Sequence, residues 1–133
     1  MKLITRNTDY AIRALVFMAM GKEDVYTTEA VAGALKMPRP FLRKILQTLN
    51  RARFLGSSRG RSGGFRLARR PEKISVMELI ELFQGPFTLN KCFFKKKICP
   101  NMNVCALKKM VDKMQRVVIN GLKATTIAGL VAK

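Results

Sequence analysis

The chain has 133 residues, 48% of them hydrophobic and 8% aromatic, which is enough to bury the core of one compact domain. Its 26 Lys and Arg residues outnumber 8 Asp and Glu residues, and a formal net charge of +18 predicts a polyanionic partner, either nucleic acid or a membrane surface. No apolar run is long enough to cross a bilayer and no secretory signal opens the chain, so we expect a cytoplasmic protein without membrane attachment.

Apolar periodicity predicts three helices within the first 51 residues. Thr8 is the predicted N-cap of the first helix, with Asp9 in its first turn. A second helix is predicted over residues 29–36 and ends before Pro38, where the third begins. The third helix has an apolar stripe of Phe41, Leu42, Ile45, Leu46 and Leu49. Two helices, a short turn and an amphipathic helix with a basic outer side are typical of a helix-turn-helix.

The next segment has the pattern of a β-hairpin followed by a fourth helix. Two β-capable runs, residues 54–58 and 65–67, flank a basic tip rich in glycine, which predicts the wing of a winged helix. Ser75 and Glu78 form a predicted capping box for a helix that ends at Gln84.

The last third of the chain predicts a loop and a long helix. Residues 87–102 lack periodicity, and a helix is predicted from about residue 103 to about residue 124. Its apolar residues recur at alternating steps of four and three, which suits packing against another long helix, and a short turn is predicted after residue 126. These residues form the set Leu107, Val111, Met114, Val118, Gly121 and Thr125.

The predicted fold class is therefore mainly α with a small β-hairpin, a winged helix-turn-helix with a long C-terminal dimerisation helix. We expect a DNA-binding domain over residues 1–85 and a cysteine loop over residues 86–106. The dimerisation helix and C-terminal turn are expected over residues 103–133.

Basic residues crowd the stretch from Lys36 to Lys73, where Glu72 is the only acidic residue. Such a run can be merely a solvated surface, but here it coincides with two elements that fit the DNA grooves. Arg predominates over Lys in this stretch, and Arg can bond a phosphate or a guanine edge twice. DNA is thus favoured, with RNA as the competing polymer. The predicted contacts are Arg39, Arg43, Lys44 and Gln47 on the third helix, and Arg59 and Arg61 at the hairpin tip.

All three cysteines, Cys92, Cys99 and Cys105, fall in the loop before the long helix. Their spacing is a weak mark of a metal site, but their grouping in one loop strengthens it, and the neighbouring Lys95–Lys97 run would stabilise thiolates. The residues leave four interpretations open: an iron–sulfur cluster, a structural zinc ion, a thiol–disulfide switch and free thiols. Zinc would need an oxygen ligand, because the chain has no His.

Four segments together resemble the IscR and NsrR family of bacterial transcriptional regulators, over nearly the whole chain. They are the Leu3–Arg13 stretch containing Thr8-Asp9-Tyr10-Ala11, the Phe41–Leu49 helix, the wing Arg59-Gly60-x-x-Gly63-Gly64-Phe65-x-Leu67, and the cysteine trio. The resemblance implies a winged-helix homodimer joined through the long C-terminal helix. It also implies a [2Fe–2S] or [4Fe–4S] cluster with Cys92, Cys99 and Cys105 as metal ligands, whose loss, oxidation or nitrosylation changes DNA affinity.

Two departures from the family pattern concern the fourth ligand and the operator. IscR-type members place a His shortly after the third Cys, whereas positions 106–108 here are Ala, Leu and Lys. NsrR-like members use an Asp at the start of the first helix of the other subunit, and Asp9 matches it. The other interpretation of Asp9 is a helix-dipole or N-cap carboxylate. Arg43 stands where IscR has an acidic residue, so the IscR operator does not transfer.

The expected function is a DNA-binding transcriptional repressor that senses redox state, nitric oxide or iron status through an iron–sulfur cluster. Its expected partner is a near-palindromic operator in double-stranded DNA, read by two copies of the third helix. An enzyme is not expected, because the carboxylates are scattered and no nucleophile–base pair is recognisable. The alternative is a winged-helix regulator without a cluster, controlled by structural zinc, a thiol switch or a protein partner.

Overall fold

A computed structural model describes residues 3–60, 63–88 and 106–131. Six α-helices, two strands and one short 3₁₀ helix lie within those ranges: α1 (Arg6–Met20), α2 (Thr28–Leu35), α3 (Arg39–Arg51), β1 (Leu55–Ser58), β2 (Gly64–Leu67), the 3₁₀ helix (Pro71–Lys73), α4 (Val76–Gln84), α5 (Ala106–Ala124) and α6 (Ile127–Leu130). This order confirms the predicted fold class. None of the helices in the described part of the chain is both long and apolar enough to cross a membrane.

Helix α1 lies at the centre of the core because it is apolar around most of its circumference. Ala11, Ala14 and Leu15 are fully buried, and Met18 is nearly so. The small alanine side chains leave room for neighbouring elements, and α1 contacts α2, α3, α4, α6 and β2. Those elements therefore form one shell around α1.

Helices α2 and α3 form the predicted helix-turn-helix. The Thr27 hydroxyl caps α2 by accepting the Ala30 N–H at 3.0 Å. Lys36 ends α2 in the left-handed region at φ 55°, and the N–H of the buried Met37 donates to the Ala32 carbonyl at 3.0 Å. The turn is therefore held by both hydrogen bonding and burial. The buried stripe of α3 is Leu42, Ile45, Leu46 and Leu49, as its spacing predicts.

Strands β1 and β2 form the antiparallel hairpin, with Leu55 opposite Leu67 and Ser58 opposite Gly64. The chain before α2 also reaches the hairpin, because Tyr26 and Phe65 exchange two backbone hydrogen bonds of 2.8 Å. A Cβ on Gly64 would lie 2.4 Å from the Tyr26 carbonyl oxygen, so glycine permits this close approach. The wing is thus anchored to the helix-turn-helix at its base.

The C-terminal helices return the chain to the core. In α4, Ser75 and Glu78 form the predicted capping box. Ile119 and Leu122 of α5 pack against an apolar cluster on α4 made of Val76, Met77 and Ile80. The Ile127 N–H then donates to the Ile74 carbonyl at 2.9 Å, and the Ile127 side chain is fully buried. Helix α6 thereby fastens the end of α5 to the winged-helix part of the fold.

The predicted N-cap of α1 is wrong. The helix begins at Arg6 and its N-cap is Thr5, whose hydroxyl accepts the Thr8 N–H at 3.5 Å. Thr8 is fully buried, and its hydroxyl donates to Gln84 Oε1 at 2.7 Å. Gln84 also accepts the Thr5 N–H at 3.0 Å and donates to the Leu3 carbonyl at 3.2 Å. A partner at the far end of α4 therefore decides the role of Thr8.

Replacing Thr8 by Val should lower the free energy of unfolding by about 1 kcal/mol. The change keeps the side-chain shape but removes the buried hydroxyl, with its hydrogen bonds to Gln84 Oε1 and to the Thr5 hydroxyl. Urea denaturation of both proteins measures this difference. Thr48→Val is the matched control, since the Thr48 hydroxyl donates to the Lys44 carbonyl of its own helix and should change stability little. Equal effects of the two substitutions would contradict the assigned role of Thr8.

Candidate DNA-binding surface and cysteine site

The four predicted contact residues of α3 lie on one exposed side of the helix. Arg39, Arg43 and Gln47 follow at steps of four and Lys44 is beside them, so all face away from the buried stripe. The helix contains no acidic residue. Its outer side therefore presents three cations and an amide to solvent, which is the chemistry that bonds phosphates and base edges.

The hairpin tip holds the other predicted contacts. Arg59 is exposed at the end of β1 and precedes Gly60, whose φ of +105° permits the turn. Arg61 lies outside the described residues. The exposed Arg66 on β2 adds a further cation to the wing that sequence reasoning did not single out. The described part of the wing thus carries the positive charge that suits a phosphate backbone.

One predicted contact residue has an intramolecular partner. Nη2 of Arg39 lies 2.5 Å from Oε1 of Glu29, and the two side chains are 59% and 58% exposed. Glu29 is in the first turn of α2. Glu29 precedes the basic stretch that begins at Lys36, so the charge pattern along the sequence does not reveal this carboxylate beside α3.

Arg69 has a structural role, although it belongs to the basic stretch. Its guanidinium lies 4.0 Å from the centre of the Phe54 ring, and Nη1 donates to Glu78 Oε2 at 2.9 Å. Glu78 is also the carboxylate of the α4 capping box. Arg69 therefore ties the end of the wing to α4. The basic stretch thus has fewer unpaired cations at the surface than the sequence suggests.

Asp9 lies in the first turn of α1 and is 42% exposed. Its Oδ2 accepts a hydrogen bond from Arg13 Nε at 2.9 Å. This hydrogen bond, together with the charge of the carboxylate, raises the pKa of the Arg13 guanidinium above its usual value. Asp9 is not the N-cap, which corrects that part of the prediction. Its position still places a carboxylate at the surface, where another chain can reach it.

An open apolar groove of about 380 Å³ runs along α1 beside Asp9. Its floor is formed by apolar side chains of α1, α2 and α6, namely Ile12, Val16, Phe17, Met20, Leu35 and Leu130. Met20 is 52% exposed and Leu130 is 42% exposed. Asp9 therefore stands at the edge of an uncovered apolar surface.

The three predicted cluster ligands, Cys92, Cys99 and Cys105, lie outside the described residues. Among residues 3–60, 63–88 and 106–131, no group of three His, Cys, Asp or Glu side chains gathers closely enough to hold a metal ion. Of the four predicted ligands the structure thus places only Asp9.

Helix α5 carries an exposed apolar stripe formed by Leu107, Met110, Met114 and Val117, each at least half exposed. The sequence-based set differs, since it contains Val111 and Val118 in place of Met110 and Val117. Those two valines are half-buried because they lie between the stripe and the side that packs on α4. The stripe is thus rotated by a fraction of a turn from the predicted one.

Comparison with known proteins gives matches along nearly the whole chain. The Rrf2 family model, described as "Iron-dependent Transcriptional regulator", matches residues 4–133. The transcriptional regulator NsrR of Bacillus licheniformis is 29% identical over 130 residues, which cover 96% of this chain and 91% of that protein.

Two solved structures show the same fold. CymR, the global cysteine regulator of B. subtilis, superposes with a TM-score of 0.84 at 20% identity, covering 98% of this chain and 97% of that chain. IscR of T. potens gives a TM-score of 0.73 at 22% identity, covering 98% and 85%.

Arg59→Ala should weaken DNA binding and reduce the slope of log affinity against log salt by about 0.9 for a lost phosphate contact. The free energy of unfolding of the Arg59→Ala variant should equal that of the wild-type protein, because the Arg59 side chain is exposed. Arg69→Ala is the matched control: it should lower the free energy of unfolding by about 1 kcal/mol and leave the slope unchanged. Titration of labelled duplex at several salt concentrations and urea denaturation measure both quantities. An unchanged slope for Arg59→Ala would mean that the wing does not contact DNA.

Proposed function

The chain belongs to the Rrf2 family of winged-helix, DNA-binding transcriptional regulators, and from this membership we propose that it is a homodimeric repressor controlled by an iron–sulfur cluster. The proposed signal is redox state, nitric oxide or iron status. The observation that carries the DNA-reading part is the exposed basic side of α3, next to a wing anchored on the same core.

The reading residues we propose are Arg39, Arg43, Lys44 and Gln47, with Arg59 and Arg61 on the wing. In a helix-turn-helix the start of the second helix reaches base edges, and Arg39 and Arg43 occupy the first two turns of α3. Their guanidinium groups suit guanine, whose major-groove edge offers two acceptors. Two copies would read half-sites about one helical turn apart, which requires a near-palindrome.

The α5 stripe supports the dimer. Leu107, Met110, Met114 and Val117 recur at alternating steps of three and four, which is the spacing of a helix packed against another helix. Leaving four such side chains in water forgoes the free energy of burying them. A second copy of the same stripe would cover them and would also set the distance between the two reading helices.

The cluster site we propose is shared by two subunits. Cys92, Cys99 and Cys105 supply three thiolates, and Asp9 of the partner subunit supplies a carboxylate, a donor set that suits iron in the absence of any His. Asp9 fits this role because its carboxylate is exposed at the edge of the α1 groove, where a loop of another chain can reach it. Lys95, Lys96 and Lys97 would offset the negative charge of the thiolates.

When bound, an iron–sulfur cluster supplies iron that changes oxidation state and is labile to oxidants and nitric oxide. The chain's contribution is the link from the site to DNA. Gln84, at the end of α4 just before the cysteine loop, bonds Thr8, and Thr8 precedes Asp9. Tyr10 follows and contacts Phe41 of α3 edge-to-face, with ring centres 5.5 Å apart. A change at the site thus has a short packed route to the reading helix.

Protein purified without oxygen should be coloured and contain iron and acid-labile sulfide, and Cys99→Ala should remove the colour and most of the iron. An absorption spectrum with iron and sulfide assays measures this. A colourless wild-type protein with stoichiometric zinc would contradict the cluster. A metal-free protein whose DNA affinity changes on oxidation would favour the thiol switch instead.

Asp9→Ala should keep the fold but speed loss of the colour in air, because one ligand is missing. Arg13→Gln is its control, since it removes the partner of Asp9 and keeps the carboxylate. If both variants lose the colour at the same rate, Asp9 acts through its ion pair with Arg13 rather than as a ligand.

Met114→Lys should convert the dimer into a monomer, because it places a charge in the middle of the α5 stripe. Asn120→Lys is the matched control, since it adds the same charge on an exposed side of α5 away from the stripe. Sedimentation equilibrium gives the mass of each protein. A dimeric Met114→Lys variant would mean that another surface joins the subunits.

A further inference from the structure

The ion pair between Glu29 and Arg39 joins the two helices of the helix-turn-helix on the side that faces DNA in the proposed function. Nη2 of Arg39 and Oε1 of Glu29 are 2.5 Å apart. Of the ion pairs in the described part of the chain, this is the one that involves a basic side chain of α3. A negative charge at this place is unexpected, because it opposes the attraction between α3 and phosphates.

The backbone fixes the roots of both side chains. Arg39 lies between Pro38 and Pro40, whose rings lock φ on either side of it. Glu29 lies in the first turn of α2, which Thr27 caps. Since both roots are fixed, the pair defines where the Arg39 guanidinium stands before DNA arrives.

A guanidinium held in this way keeps donors for a base. It has five N–H groups, and a carboxylate at Nη2 leaves others free to bond the two acceptors on a guanine edge. A long side chain that is already ordered loses less rotamer entropy on binding than a free one. A contact between Arg39 and a DNA phosphate is less favourable. Either the Arg39–Glu29 pair must break, or the Glu29 carboxylate must come close to the phosphate, and both cost free energy.

We propose that Glu29 is a positioning residue that makes Arg39 selective: it holds the guanidinium for a guanine edge and weakens its contacts with phosphates of unrelated DNA. Specificity is a difference between two affinities, and a nearby repulsive charge is one way to enlarge it. The proposal rests on the DNA-reading function proposed above. It gives a role in that function to Glu29, which is not one of the DNA-contact residues predicted from the sequence.

The test compares operator with unrelated DNA. A duplex selected from random sequences by the wild-type protein serves as the operator, and a scrambled duplex of equal composition is the reference. Glu29→Gln should bind the scrambled duplex more tightly and the operator no more tightly, so that the ratio of the two affinities falls about tenfold, the discrimination that one good bidentate contact provides. Fluorescence anisotropy titrations measure both affinities.

Two further variants separate this effect from a general change of charge. Glu72→Gln removes an exposed carboxylate beside Arg70 and should strengthen binding to both duplexes equally. In an Arg39→Ala background, Glu29→Gln should leave the ratio unchanged, because the guanidinium that it positions is gone. Thermal unfolding of each variant confirms that the fold is retained.

The outcomes distinguish the inference from the function on which it rests. If the wild-type protein selects no sequence, the DNA-reading function fails and the inference fails with it. If an operator is found but Glu29→Gln keeps the wild-type ratio, only the inference is overturned, and the pair is an exposed ion pair of little consequence. The same overturning follows if Glu29→Gln lowers the ratio equally with and without Arg39.

Discussion

The burial of α1 is the constraint on which the other elements depend. Its Ala11 and Ala14 have no exposed surface, so neighbouring helices approach the α1 backbone closely, and a larger side chain at either position would push them away. The reading helix, the wing, the end of α4 and the C-terminal α6 all touch this one helix. A shift of α1 would therefore displace the elements of the DNA-binding part that pack on it. The proposed fourth cluster ligand, Asp9, is on its first turn.

Local signals predicted the elements whose ends are decided locally. The capping box of Ser75 and Glu78 and the apolar stripe of α3 appear in the structure as their spacing predicts, because capping and helix periodicity involve residues three or four apart. The prediction that Thr8 is the N-cap of α1 is wrong for the opposite reason. The Thr8 hydroxyl bonds Gln84, 76 positions away, and no pattern near Thr8 announces that partner.

The candidate site likewise has features that local patterns predict and features that depend on residues distant in the sequence. The common exposed side of Arg39, Arg43 and Gln47 follows from helix geometry alone. The partners of Arg39 and Arg69 do not follow from helix geometry. Glu29 is beside Arg39 because of the α2–α3 turn, and Phe54 is beneath Arg69 because the wing folds back. The resemblance to known regulators supplied the role of the cysteines, which spacing alone left among four interpretations. The fourth ligand in the proposed site belongs to a second subunit, so no pattern within one chain points to it.

The central claim is that cluster occupancy controls DNA affinity. One anaerobic preparation, titrated with operator before and after iron is removed by a chelator and again after reconstitution, tests it most directly. The two forms should differ in affinity by about tenfold or more, within the usual range of coupling between two sites, and reconstitution should restore the first value. Equal affinities of an iron-loaded and an iron-free sample would contradict the claim.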